Sequence, residues 1–157
     1  MRNKRLKMIL GIAITVIAIV AIMFGFANAF ADFRNADASR GSEFAIMFGQ
    51  GTKTGYQSVP LLIAAFVCSI VAAVFALISA FLPGKLSMIG FGVVVVLMLF
   101  AGIVYFCTPA LFLAANPTTI RSDDLPVNAG VGPIGMGIVS IVGALGSLYC
   151  VRLTMKA

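Results

Sequence analysis

Histidine is absent from this chain, acidic residues number five, and charged residues of both signs make up only 10% of it. Without histidine, the commonest proton shuttle and metal ligand near neutral pH is missing. A soluble domain carries roughly a quarter charged residues, so this deficit excludes a globular protein with a water-facing surface. Cysteine is scarce too: Cys68, Cys107 and Cys150 all fall inside apolar runs. An odd count with none in a loop gives no disulfide framework, and their different depths argue against a redox pair. No Asp, Glu, Lys or Arg lies in the central part of any apolar run. Ionisable residues there mark ion and proton pathways, so a coupled transporter or proton pump is not expected.

What the chain does have is apolar length: 61% of its 157 residues are hydrophobic. The most informative stretch is Val59 to Phe106, two apolar runs folded about Pro83-Gly84-Lys85. Each run is long enough to cross a bilayer core, which takes ~20 helical residues, and the turn is too short for anything but a hairpin. The expected fold is an all-α integral membrane protein, a four-helix transmembrane bundle forming one domain over residues 1–157. Spans are predicted at residues about 8–30, 60–82, 86–108 and 131–153, with an inner turn at 83–85 and outer loops at about 31–59 and 113–130.

Orientation follows from the basic residues, which concentrate on the cytoplasmic side of membrane proteins. Arg2, Lys4, Arg5, Lys7, Lys85, Arg152 and Lys156 fall on one side, with no acidic partner. The other side carries Arg34, Arg40, Lys53 and Arg121 together with all of the acidic residues. Both termini are therefore expected inside, with two extracytoplasmic loops. The net charge of +6 is an orientation signal at helix ends rather than a groove for nucleic acid. Compact loops and small size point to a bacterial cytoplasmic membrane.

Met1 to Lys7 is a basic leader, and Ala27-Asn28-Ala29 after an apolar middle also fits a cleavable signal peptide. The uninterrupted run from Met8 to Phe26 exceeds the ~7–15 residues of a signal core, so a retained first helix is expected. No cysteine follows the small residues, which excludes a lipoprotein signal. In the first polar segment Gly49, Gly51 and Gly55 break regular structure after Phe44-Ala45-Ile46-Met47-Phe48. That pentad is too short to span and is predicted to form a turn of helix at the membrane surface or over the bundle. Pro60 suits a first helical turn, and Pro109 is expected to kink or end the third span.

Small residues mark helix contacts in lipid because they let backbones approach. At 100° per residue, Gly11, Thr15, Ala18, Gly25 and Ala29 form one stripe on the first span. Ala65, Cys68, Ser69, Ala72, Ala76 and Ser79 do so on the second; Gly132, Gly135, Gly143, Gly146 and Cys150 on the fourth. The third span is bulky all round from Val93 to Phe100, and is expected either to plug the centre or to face lipid. The fourth-span stripe serves packing within the chain or docking of another subunit.

Candidate chemistry is thin. Gly130-Val131-Gly132-Pro133-Ile134-Gly135 fits the dinucleotide pattern of three spaced glycines. That motif works only between a strand and a helix aimed at a pyrophosphate, whereas here it enters a membrane span. Asp123 and Asp124 suit a solvated loop better than a metal, which needs more oxygen ligands than two adjacent carboxylates supply. Serines lack a His or Lys base at sensible spacing. Thr15, Ser69, Ser79 and Ser140 are expected to satisfy backbone or a neighbouring helix. No catalytic, cofactor or metal site is expected.

The chain resembles claudin-like proteins, tetraspanins and small multidrug exporters in its number of crossings alone. It lacks the tryptophan and loop cysteines of the first, the Cys-Cys-Gly of the second and the first-span acid of the third. The functional expectation is a non-enzymatic accessory or assembly subunit surrounded by membrane lipids and packed against a larger membrane protein. Phe44, Phe48, Asp123 and Asp124 would meet that partner outside. A homo-oligomeric channel or passive carrier is the alternative.

Overall fold

A computed structural model describes residues 2–31, 41–49, 56–117 and 128–155. In chain order the elements are α1 (Arg2–Met23), a 3-10 turn (Phe24–Phe26), α2 (Glu43–Phe48), α3 (Pro60–Phe81), α4 (Gly84–Phe106), α5 (Thr108–Ala115) and α6 (Val131–Met155). The four long helices hold 22, 22, 23 and 25 residues, or about 33–38 Å at ~1.5 Å per residue. That matches a hydrocarbon core of ~30 Å, and all four are apolar enough to cross it. Their outer faces carry exposed Ile19, Val74, Val96 and Leu145, each at least half exposed. Apolar surface on this scale is not tolerated on a soluble monomer and points to a membrane location.

Helix ends differ from the sequence expectation for identifiable reasons. The basic leader is helical from Arg2 rather than a separate arm, since lysine and arginine are good helix formers. At its other end α1 stops at Met23, short of residue 30, because the backbone of 27–31 is committed to pairing with distant segments. Pro83 caps α4, so the inner turn contracts to Leu82 and Pro83 in extended conformation, followed by Gly84 with φ +48°. The third span ends at Phe106, and α5 begins after Cys107. Pro109 cannot donate an N–H to the turn before it, which makes a continuous helix through this point unfavourable.

The long helices run alternately up and down. α1 packs against α3 and α6, and α4 packs against the same two, so α1 and α4 face each other across the bundle. The helix without a small-residue stripe does both things expected of it as alternatives: one face fills the centre, and the other, with Ile89, Val96 and Ile103, is exposed. Phe91, Val94, Met98, Ala101 and Tyr105 of α4 are fully buried and meet the small residues of its neighbours. A Cβ on Gly11 would lie 2.5 Å from the Ala80 Cβ and 3.1 Å from the Phe91 ring. One on Gly143 would strike the Met98 thioether. Where α4 itself is small, at Gly102, it admits Ile141 and the Gly137 carbonyl of α6. Bulk on one helix set against hollows on three is a packing solution suited to lipid, where burial adds little and dispersion contacts decide.

The two tight positions differ in what they touch. Gly11 abuts the Cα and Cβ of Ala80, which cannot move without shifting α3, whereas Gly92 has nothing within 4 Å. Gly11→Leu is expected to cost about 1–3 kcal/mol through overpacking. Gly92→Ala is expected to gain about 0.5–1 kcal/mol by removing glycine's excess backbone freedom. Circular-dichroism melting of both variants in mild detergent checks the opposite signs.

A buried carboxyl at the loop end as candidate functional site

The end of the bundle away from the termini is closed by backbone rather than by side chains. Ala27 to Ala31 runs extended between two other segments. On one side the Ala29 N–H donates to Gly41 O at 3.0 Å and the Glu43 N–H to Ala27 O at 3.0 Å. On the other, the N–H groups of Gly130 and Gly132 donate to Ala29 O and Asn28 O at 2.8 and 2.9 Å, and that of Ala31 to Asn128 O at 3.1 Å. Glycine is required there: a side chain on Gly130 would strike the Asn28 carbonyl, and a Cβ on Gly132 would sit 3.0 Å from Ala27 O. The three-glycine pattern in the sequence is thus a packing feature. Gly135, its third member, lies on the Phe24 ring.

This crossing positions Glu43. Ser42 caps α2, with its hydroxyl accepting from the Ala45 N–H at 3.2 Å, and Ile46 and Met47 are buried against Val59 and Leu62. The pentad therefore folds down over the bundle and carries Glu43 inward. The carboxyl is fully buried. Its Cβ faces the backbone of Gly132, and its Oε1 accepts from the Thr108 hydroxyl at 2.8 Å. Oε2 has no partner. Burial pushes the Glu43 carboxyl up to about 7, against the smaller opposing pull of the Thr108 hydrogen bond. Nearby Asn116, also buried, accepts from the Gln57 N–H at 2.7 Å and donates to Phe112 O at 3.1 Å.

The residues singled out in the sequence fall into two groups. Gly11, Gly132, Gly135 and Gly143 sit at the contacts above. Gly25 lies 2.5 Å from the Phe44 ring by its would-be Cβ and Gly146 at 3.3 Å from Ile14. Thr15 donates to Gly11 O at 3.0 Å, and Ala18 is buried with Ala72 and Ala76. All face neighbours within this chain. Phe44 is half-buried between Phe26 and Phe66, edge to face at 4.9 and 5.1 Å. Phe48 is 52% exposed beside Phe66. Asp123 and Asp124 lie outside the described residues. Of the deep hydroxyls, Ser69 donates to Ala65 O and pairs with the Tyr105 hydroxyl at 3.0 Å, whereas the Ser79 and Ser140 hydroxyls have no partner among the described residues.

In the sequence Glu43 stands only as one of the acidic residues on the side of the outer loops. The available signal was a serine cap followed by a carboxylate and an unbroken apolar pentad, which places the acid on a helix that must lie on apolar surface. Chemically the site can hold or release one proton near neutrality. Among the described residues no group of acids, cysteines and histidines could hold a metal. Neither a protein family, nor a curated protein, nor a solved structure matches the chain.

The raised carboxyl makes stability pH-dependent. An unfolded glutamate titrates near ~4.3, below the folded value of about 7. Stability is therefore greatest in acid and falls as pH rises between those values, because the unfolded chain ionises first. The loss is on the order of 3 kcal/mol at ~1.4 kcal/mol per pH unit. Melting temperature in detergent should drop between about pH 5 and about pH 8, and Glu43→Gln, which stays neutral and still accepts from Thr108, should flatten that profile.

Proposed function

We propose that this protein is a small four-span membrane protein, with both termini in the cytoplasm, that acts without chemistry of its own as an accessory or assembly subunit of a larger membrane protein. A bacterial cytoplasmic membrane is the setting we assign it. The observation that carries this reading is the solid centre of the bundle. Phe91, Val94, Met98 and Tyr105 occupy the axis, which leaves no continuous polar path through one copy. The orientation rests on the unpaired basic residues at the end bearing the termini. Surface available to a partner is aromatic and lies at the loop end, where Phe26 and Phe48 are 69% and 52% exposed around Phe44 and Phe66. Aromatic residues are enriched where partner proteins meet.

Purification of the tagged chain from its native membrane in mild detergent, with mass spectrometry of its companions, tests the reading. A stoichiometric larger protein is expected, and Phe26→Ala with Phe48→Ala should reduce its recovery without lowering the melting temperature. Recovery of this chain alone as a defined oligomer that conducts ions after reconstitution would replace the reading with a homo-oligomeric channel. A cysteine at exposed Gln57, in a chain with its native cysteines replaced, should react with an impermeant thiol reagent from outside; labelling only after lysis would invert the orientation.

A further inference from the structure

The end of the bundle opposite Glu43 is open where the loop end is sealed. A cavity of about 420 Å³ lies between the first turns of α1, the Ala80–Gly84 turn and the last turn of α6. That size falls in the ~300–1,000 Å³ range of small-ligand sites. Its inner wall is apolar, formed by Met8, Phe81 and Leu153, and its cations are Lys4 and Lys7. The Lys7 ammonium is anchored by donating to Leu82 O at 2.6 Å. An ammonium has three donors, so two remain beyond that bond. The first turn of α4, which begins at cavity-lining Gly84, has no side-chain cap, and nothing lies within 4 Å of where a Gly84 Cβ would be.

Among the described residues no carboxylate lies beside these lysines: the one described acid, Glu43, sits at the other end of the bundle. Exposed Arg5, Lys85 and Arg152 add to the positive charge around the cavity. These cations are open to a counter-ion from outside the chain, and the setting specifies its kind. The cavity lies where α1 begins and α3 ends, and Ile12 and Ile78, about one turn further along those helices, are exposed. A ligand there meets cations at its head and lipid-facing apolar helix along its length.

We propose that this cavity binds the phosphodiester headgroup of an anionic membrane phospholipid, with the phosphate against Lys4 and Lys7 and the acyl chains along the outer faces of α1 and α3. Basic pockets between membrane helices suit such headgroups. A soluble phosphate shares the charge but makes no use of the apolar wall. A zwitterionic headgroup brings its own ammonium into a field that repels it.

The test uses the full chain, delipidated in neutral detergent, with phosphatidylglycerol as probe and phosphatidylcholine and inorganic phosphate as competitors, read by native mass spectrometry. Phosphatidylglycerol should be retained over phosphatidylcholine and should resist millimolar inorganic phosphate. Lys4→Gln and Lys7→Gln should each weaken it roughly five-fold, whereas Lys7→Arg should preserve it. Lys85→Gln with Arg152→Gln, which removes charge outside the cavity, should change binding less than about two-fold. Lys4 is exposed, so the Lys4→Gln result does not depend on an intact Lys7 anchor. Equal losses from the control pair, unchanged binding in the lysine variants, or full displacement by inorganic phosphate would each overturn the proposal.

Discussion

Close contact between one bulky helix and three hollowed ones is the interaction on which this structure depends. In water, an apolar side chain gains by leaving solvent wherever it lands; in lipid that gain vanishes and shape must choose the partner. Phe91 against Gly11, Met98 against Gly143 and Tyr105 against Ser69 make that choice here. α4 consequently turns Phe91, Val94, Met98 and Tyr105 inward, while Ile89, Val96 and Ile103 on its other face stay exposed. Ser69 and Ser147 in this interior return their proton to their own helix, whereas the Ser87 hydroxyl donates to Ser79 O of the neighbouring helix. Bonds of the first kind satisfy the polar atom without specifying an assembly.

The two ends of the bundle solve different problems. At the loop end the chain must reverse twice, and each reversal exposes helix termini whose carbonyls and N–H groups need partners. The extended segment from Ala27 to Ala31 meets much of that need by accepting from Gly130, Gly132 and Glu43 and donating to Gly41 and Asn128. At the other end Leu82, Pro83 and Gly84 reverse the chain in the shortest way available, and glycine is needed because φ at that point is positive. Sealing is thus concentrated at one end and positive charge at the other.

Much of this architecture is legible in the sequence, because a run of about 20 apolar residues has few alternatives to a spanning helix. The small-residue stripes were readable from their 100° spacing. What filled them was not, since α4 is bulky on every face and offers no period that singles out Phe91, Val94 and Met98. The early end of α1 was hidden for a different reason. Asn28 and Phe30 continue an apolar pattern, but their backbone pairs with Ser42 and Ala129, far away in sequence. Glu43 misled for the same cause: Thr108 and Gly132, which enclose it, lie some distance along the chain. Local pattern revealed the elements, whereas the sites arise where remote segments cross.

The crossing at the loop end has a consequence for how the protein is made. Strand-like partners on either side of Ala27–Ala31 come from residues 41–43 and 128–132, so half of that seal comes from the segment that leads into α6. A nascent chain that has threaded its first three spans still has the carbonyls of Asn28 and Ala29 without their final donors. The groove on α4 that takes α6 is likewise empty. Completion waits for the 25-residue α6, which follows the other three spans in the chain. Assembly of the bundle therefore includes a docking step in which α6 closes it laterally and at its rim together, and a chain that has not yet taken that step retains an open flank.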